Sequence, residues 1–141
     1  MARLVADASA TLTWCFEDEA LPWTDELLAN LKGGSEAIVP PHWPAEVANA
    51  LLVAVRRGRI SREKANRFFL DLRALPIQVD AESIETVFDQ VFELAEKFHL
   101  TIYDAAYLGL AIRKGLPLAT LDQDLRKAAR ASGVSLLEPQ P

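Results

Sequence analysis

A single cysteine in 141 residues leaves no partner for an internal disulfide and no basis for a cysteine-built zinc cluster. Cys15 lies in Trp14-Cys15-Phe16, an apolar setting where cysteine acts as a small, inert, buried hydrophobe, and a reducing cytoplasm is the expected compartment. No apolar run approaches the ~18 residues of a membrane span, and Asp7 interrupts the opening stretch before a secretory leader could form. Neither targeting nor membrane insertion is expected. Basic excess is missing as well: 15 Lys and Arg against 20 Asp and Glu give a net charge of −5, which excludes a domain that holds nucleic acid by bulk charge alone. Neither histidine has a second His or Cys at a ligand spacing, so His42 and His99, both flanked by apolar residues, read as satisfied structural histidines.

Half the chain is apolar, enough for one core in a single domain spanning 1–141. No repeat, low-complexity stretch or linker divides it. Four short apolar runs predict strands: Leu4-Val5-Ala6, Ala37-Ile38-Val39, Ile77-Gln78-Val79 and Leu118-Ala119-Thr120-Leu121, with Ser135-Leu136-Leu137 a weaker fifth. Helices fill the intervals. Thr24 is placed to cap one that ends at Gly33-Gly34, Pro44 sits in the first turn of one running to about Arg57 before Gly58, and Ser61 opens another. Ile84, Val87, Phe88, Val91, Ala95 and Phe98 are spaced as one buried helical stripe, and two more helices end at Gly115 and Gly133. Alternation of strand and helix predicts a parallel sheet covered on both faces.

Charge is unevenly spread. Arg56 to Arg73 holds seven basic residues against two acids, whereas Asp80 to Glu96 holds six acids and Glu17 to Glu26 five, each without a base. Such runs are ordinarily solvated helix faces, but one local basic surface for a polyanion is permitted. Ligands of parallel sheets gather at the carboxyl ends of the strands, and acids stand there: Asp7 after the first strand, Glu46 after the second, Asp122 after Leu121, and Asp104 at the start of a helix. Taken singly, each serves as a helix cap or a first-turn anion. Brought to one edge, four carboxylates repel and raise one another's pKa, a conflict that a hard divalent cation removes. An oxygen-only ligand set suits magnesium or manganese and metal-assisted phosphodiester hydrolysis.

Four strings carry a resemblance. Val5-Ala6-Asp7-Ala8-Ser9, the segment from Pro41 to Leu51 (PHWPAEVANAL), Tyr103-Asp104-Ala105-Ala106-Tyr107-Leu108-Gly109-Leu110-Ala111, and Ala119-Thr120-Leu121-Asp122-Gln123-Asp124-Leu125 are together similar to the motifs of PIN-domain nucleases of the VapC toxin type. The resemblance implies a three-layer α/β/α sandwich around a parallel sheet and a magnesium- or manganese-dependent endoribonuclease. It further implies a VapB-type antitoxin partner and a homodimer. Its acidic positions fall on Asp7, Glu46, Asp104 and Asp122, with Ser9 and Thr120 nearby and Asp124 as an outer acid. Asp7, Asp104 and Asp122 are then expected to hold the ion, and Glu46 to bind it or to orient water. Asn49, three residues after Glu46, could orient that carboxylate or be an ordinary helix position. Trp43, Tyr103 and Tyr107 could stack on bases, with core or interface packing the favoured expectation for each. A haloacid-dehalogenase-like phosphatase would need an acid where this chain has Ser9. A receiver domain would need an acidic pair and a late lysine that are absent. A non-catalytic PIN-like binding module stays open.

Overall fold

The structure, a computed structural model, describes residues 2–137. Four parallel strands, β1 (Arg3–Ala6), β2 (Glu36–Val39), β3 (Ile77–Val79) and β4 (Leu118–Ala119), form one sheet in the order β3-β2-β1-β4. Helices α1 (Ala8–Leu12) and α2 (Pro22–Lys32) follow β1; α3 (Trp43–Arg56) and α4 (Arg62–Arg73) follow β2. After β3 come α5 (Ile84–Thr86), a π-helical turn (Val87–Val91), α6 (Phe92–Phe98) and α7 (Ile102–Lys114), and α8 (Gln123–Ala131) follows β4.

Alternation along the strands divides the core between two faces. Leu4, Ala6, Ala37 and Ala119 pack with Leu27 and Leu31 of α2, whereas Val5, Ile38 and Leu118 pack with Val47 and Leu51 of α3 and Leu108 of α7. Helices therefore cover both faces of a parallel sheet, the α/β layering expected from the alternation of elements. Removing a fully buried member such as Leu108 would cost about 2–5 kcal/mol through lost transfer energy and the cavity left behind. Because the chain steps outward through β2 and β3 and returns to the far side of β1, the topological switch lies between β1 and β4. The crevice at their carboxyl ends is where such a sheet receives a ligand.

Four expectations need correction. β4 ends at Ala119 rather than Leu121, since the amides of Leu121 and Asp122 bond instead to the hydroxyls of Ser9 and Thr120. The fifth strand shrinks to a single parallel bridge between Leu118 and Leu136. Thr24 is not the cap of α2: the helix starts at Pro22, and the Thr24 hydroxyl folds back to accept from the Leu21 amide at 3.3 Å and donate to the Leu21 carbonyl at 2.9 Å. The apolar stripe from Ile84 to Phe98 is split. Val91 and Ala95 are buried against Ala105 and Ala106 of α7, but Ile84 and Phe88 are 67% and 71% exposed. The π turn lies between the two halves and rotates the residues before it away from the face that follows. Gln90 of that turn donates to the Gly109 carbonyl at 3.4 Å and accepts from Arg113 at 2.6 Å.

The other landmarks fall where expected. Ser61 caps α4 by accepting from the Lys64 amide, Pro44 stands in the first turn of α3, and Gly115 ends α7 in the left-handed conformation that glycine tolerates at φ 64°. Cys15 is buried, and burial pushes its thiol pKa up. Within the basic run, Arg59 is committed to the acidic one, lying 2.8 Å from Asp18 and 2.7 Å from Glu19 with its guanidinium over the Phe16 ring. No described helix is long and apolar enough to cross a membrane.

Candidate functional site

Asp7 follows β1 directly, and the extended conformation at this residue lets its carboxylate turn back to cap α1. Oδ1 accepts from the Ser9 hydroxyl at 2.7 Å and the Ala10 amide at 3.0 Å; Oδ2 accepts from the Thr120 hydroxyl across the switch crevice. Ser9 also accepts from the Leu121 amide at 2.9 Å, so one hydroxyl ties the ends of β1 and β4 together. Arg126, itself buried, donates to the Thr120 carbonyl at 2.8 Å. Burial pushes the Asp7 carboxyl up to about 6 despite these donors, and the charge of Asp104 adds to the rise.

Asp104 lies in the first turn of α7, where Thr101 is the cap and accepts from the Asp104 amide at 3.1 Å. Its pKa is raised by burial, then by the charges of Asp122 and Glu46. The capping-box half supplied by Thr101 is therefore present, while the Asp104 carboxylate is directed among other acids. Asp122 is a true cap of α8, its Oδ1 accepting from the Asp124 amide at 2.9 Å and the Leu125 amide at 3.2 Å. Asp124 is exposed, and among the described residues it joins the network through that amide.

Glu46 stands on the first turn of α3. Its Oε1 accepts from the Tyr107 hydroxyl at 2.8 Å, and His42 Nε2 lies 3.0 Å from the same oxygen. The histidine contact is an ion-pair approach, and among the described residues Nε2 has no other polar partner. Burial alone would raise Glu46, but these two neighbours outweigh it and hold the carboxyl below its usual range. Burial, then the Glu46 contact, raises the Tyr107 phenol, which stays protonated as the donor.

His42 is thus no satisfied core histidine, contrary to expectation. The signal was available in its spacing, since i and i+4 share a helix face and place His42 over Glu46; Tyr107 likewise lies three residues beyond Asp104 on α7. Trp43 and Tyr107 are buried as expected, whereas Tyr103 is exposed. Asn49 is exposed, and no hydrogen bond joins it to Glu46 among the described residues. Asp80, at the end of β3, is neutralised elsewhere by Lys114 at 3.5 Å and Arg113 at 4.0 Å.

Residues 4–131 of the chain match the model of the PIN domain. The chain belongs to the PIN domain family. It is 38% identical over 80 residues to Ribonuclease VapC3 of Pyrobaculum aerophilum, an alignment spanning 57% of this chain and 61% of that relative. Its fold is similar to that of PAE2754 from Pyrobaculum aerophilum, with a TM-score of 0.72 and 24% identity over 96% of this chain and 90% of the other. A toxin–antitoxin complex from Klebsiella pneumoniae contains a similar fold, with a TM-score of 0.58 and 13% identity over 86% of this chain and 88% of the other.

A hydrated divalent cation fits this PIN site by its donor chemistry. Burial raises the carboxyls of Asp7 and Asp104, and like charge adds to the rise, from Asp104 on Asp7 and from Asp122 and Glu46 on Asp104, a cost that a cation would relieve. Among the described residues, no three His, Cys, Asp or Glu side chains already converge on one point. Magnesium keeps several waters and takes few direct protein ligands, so it does not require three convergent side chains.

Proposed function

We propose that this PIN-domain chain is a magnesium- or manganese-dependent endoribonuclease, the toxin of a toxin–antitoxin pair, which hydrolyses RNA phosphodiester bonds in the cytoplasm. The observation that carries the reading is that Asp7, Glu46, Asp104 and Asp122 all stand at the starts of helices, with Asp7 bonded across the switch crevice to Thr120 and Glu46 bonded to Tyr107 of α7. The likeness to a protein named a ribonuclease supports RNA as the substrate, and the fold shared with a toxin–antitoxin complex supports a small VapB-type antitoxin as partner. A homodimer accords with the family resemblance.

Asp7, Asp104 and Asp122 would hold the ion, directly or through water, with Glu46 beside them. When bound, the ion would offset charge building on the phosphate and make a water acidic enough to attack. The chain's own groups divide the remaining work. Asp7 is held by three donors and gives the site a fixed anchor. Asp122 caps α8 with Oδ1, which leaves Oδ2 for a ligand. With Tyr107 and His42 both at Oε1, Glu46 presents Oε2 to water, and its lowered pKa makes it an orienting acceptor rather than a strong base.

Purified protein should cleave single-stranded or looped RNA with magnesium or manganese and not with zinc alone. Undiminished cleavage in excess EDTA would refute the metal dependence. A non-catalytic binding module is the second reading, favoured by the absence of three convergent donors among the described residues. It predicts RNA or protein binding with no cleavage under any divalent ion.

A further inference from the structure

Tyr103 stands immediately before Asp104 at the start of α7, and its side chain is 62% exposed, while Tyr107 one turn further on is 1% exposed. A phenol ring left in water beside a cluster of carboxylates contributes nothing to the core. Its position is nevertheless built. The His42 ring lies 5.5 Å from Tyr103, tilted by 59°, and meets Tyr107 edge-on at 5.1 Å. Tyr107 is anchored in turn through its hydroxyl to Glu46. Three rings therefore step from the buried carboxylate contact to the solvent, with Tyr103 as the outer member.

From this row we infer that Tyr103, backed by His42, is a stacking platform for a nucleobase of the RNA next to the bond that is cut. The inference rests on the ribonuclease reading and adds how substrate is held. A chain of net charge −5 with an acidic crevice repels the phosphate backbone, so affinity must come from uncharged contacts or from local cations. Every base has a π face, and stacking on an aromatic side chain tightens binding without demanding a sequence. Tyr103 offers that face at the residue adjoining Asp104, on the same turn of helix as the carboxylate. The neighbouring His42 ring restricts the phenol on its inner side, so a base gains a surface already ordered before it binds.

The test compares wild type, Tyr103→Phe and Tyr103→Ala on a single-stranded RNA oligonucleotide, and on a set of oligonucleotides each lacking one base at a position flanking the cut. With manganese present, Tyr103→Ala should raise KM roughly tenfold or more and leave kcat within about twofold, while Tyr103→Phe stays near wild type. At one abasic position, wild type should lose a similar factor and Tyr103→Ala should lose nothing further. The manganese-induced rise in melting temperature should be the same for all three proteins, which separates lost stacking from a damaged site. Wild-type cleavage by Tyr103→Ala, or a defect that persists on every abasic oligonucleotide, overturns the platform. If wild type cleaves no RNA, the ribonuclease reading is what fails, and anisotropy of the labelled oligonucleotide in EDTA still decides the stacking. Equal affinities of wild type and Tyr103→Ala would then overturn it.

Discussion

The two flanks of the acidic edge are built differently. On the β1/β4 flank, Asp7 is buried, accepts three hydrogen bonds and is tied through Ser9 and Thr120 to the end of the neighbouring strand. On the helical flank, Glu46 and Asp104 are half-buried at the starts of α3 and α7, with one carboxylate held by a phenol and the other facing like charges. The first flank is rigid because its donors are short side chains and backbone amides of adjoining strands. The second is the adjustable side because its carboxylates ride on helix first turns at half-exposed positions. For a cation that prefers near-octahedral geometry and retains water, a fixed anchor and a movable set of oxygens is a workable division.

The sharpest way to break this comparison is Asp104→Asn. Asparagine is nearly isosteric with aspartate, and Thr101 rather than Asp104 caps α7, so the fold should tolerate the change. With like charge removed from among Asp7, Asp122 and Glu46, the metal-free protein should melt at the wild-type temperature or higher. Cleavage should fall about a thousandfold, and most of the metal-induced rise in melting temperature should vanish. A series of melts with and without manganese, paired with cleavage on the same preparations, checks all three. Unchanged metal shifts and unchanged cleavage would show that Asp104 is a first-turn anion and nothing more.

Asp7 gives a pH test of the rigid flank. Its carboxyl is raised from 3.8 to about 6, so between those values the native state binds the proton more readily than the unfolded chain. The stability this group contributes is fully present below about pH 3.8 and is lost as pH rises through about 6. At 1.36 kcal/mol per pKa unit, the loss is about 3 kcal/mol. Denaturant titrations without metal should show the wild type weakening over this window relative to Asp7→Asn, which lacks the titrating group. Parallel curves for the two proteins between pH 4 and 7 would contradict the burial of an ionisable Asp7.

The strands, most helix ends and the acids at strand termini are legible in the sequence because short-range physics sets them. Apolar runs make strands, glycines at φ > 0 end helices, and small polar residues cap them. The partners of the acids are less legible, since they depend on which helix faces which. Tyr107 meets Glu46 only because α3 and α7 pack on the same face of the sheet, and the two residues are 61 apart in sequence, whereas His42 reaches Glu46 within its own helix. The π turn is invisible to a periodicity of 3.6, so a stripe drawn from Ile84 to Phe98 places Phe88 in a core that it never enters. The shortening of β4 is hidden for a related reason. Thr120 and Leu121 suit a strand, yet their neighbourhood bonds to Ser9 and Asp7 from the opposite end of the chain.

Tyr107→Phe probes the adjustable flank at smaller amplitude. It removes one hydrogen bond to a half-buried carboxylate and almost no volume, so stability should fall by about 1 kcal/mol. Glu46 loses a contact that lowers its pKa, and the acid limb of the cleavage profile should move toward higher pH. A tenfold fall in kcat with little change in KM is the expected kinetic signature, since the carboxylate becomes free to turn both oxygens away from water. A wild-type pH profile would show that the phenol only packs.

The smallest effects come from setting two hydroxyls against each other. Thr101 and Ser9 both bond to a backbone amide, but Thr101 acts within its own helix turn, capping α7 and lowering the carboxyl pKa of Asp104, whereas Ser9 donates to Asp7 and joins it to the Leu121 amide across the switch crevice. Thr101→Ala should cost about 1 kcal/mol of stability, the usual price of a lost cap, and leave cleavage within about twofold once the protein is kept well below its melting temperature. Ser9→Ala removes a comparable hydroxyl and should cost about the same or slightly more in stability. Its cleavage defect should be larger, because Asp7 then keeps only the Ala10 amide and Thr120 to hold it and the start of the β4 loop loses its tie to β1. Equal cleavage by the two variants would mean that the hydroxyl bridge does not fix the anchor and that both flanks are adjustable; a Ser9→Ala defect several times that of Thr101→Ala, at matched stability, would establish the rigid side as the one that sets the geometry of the site.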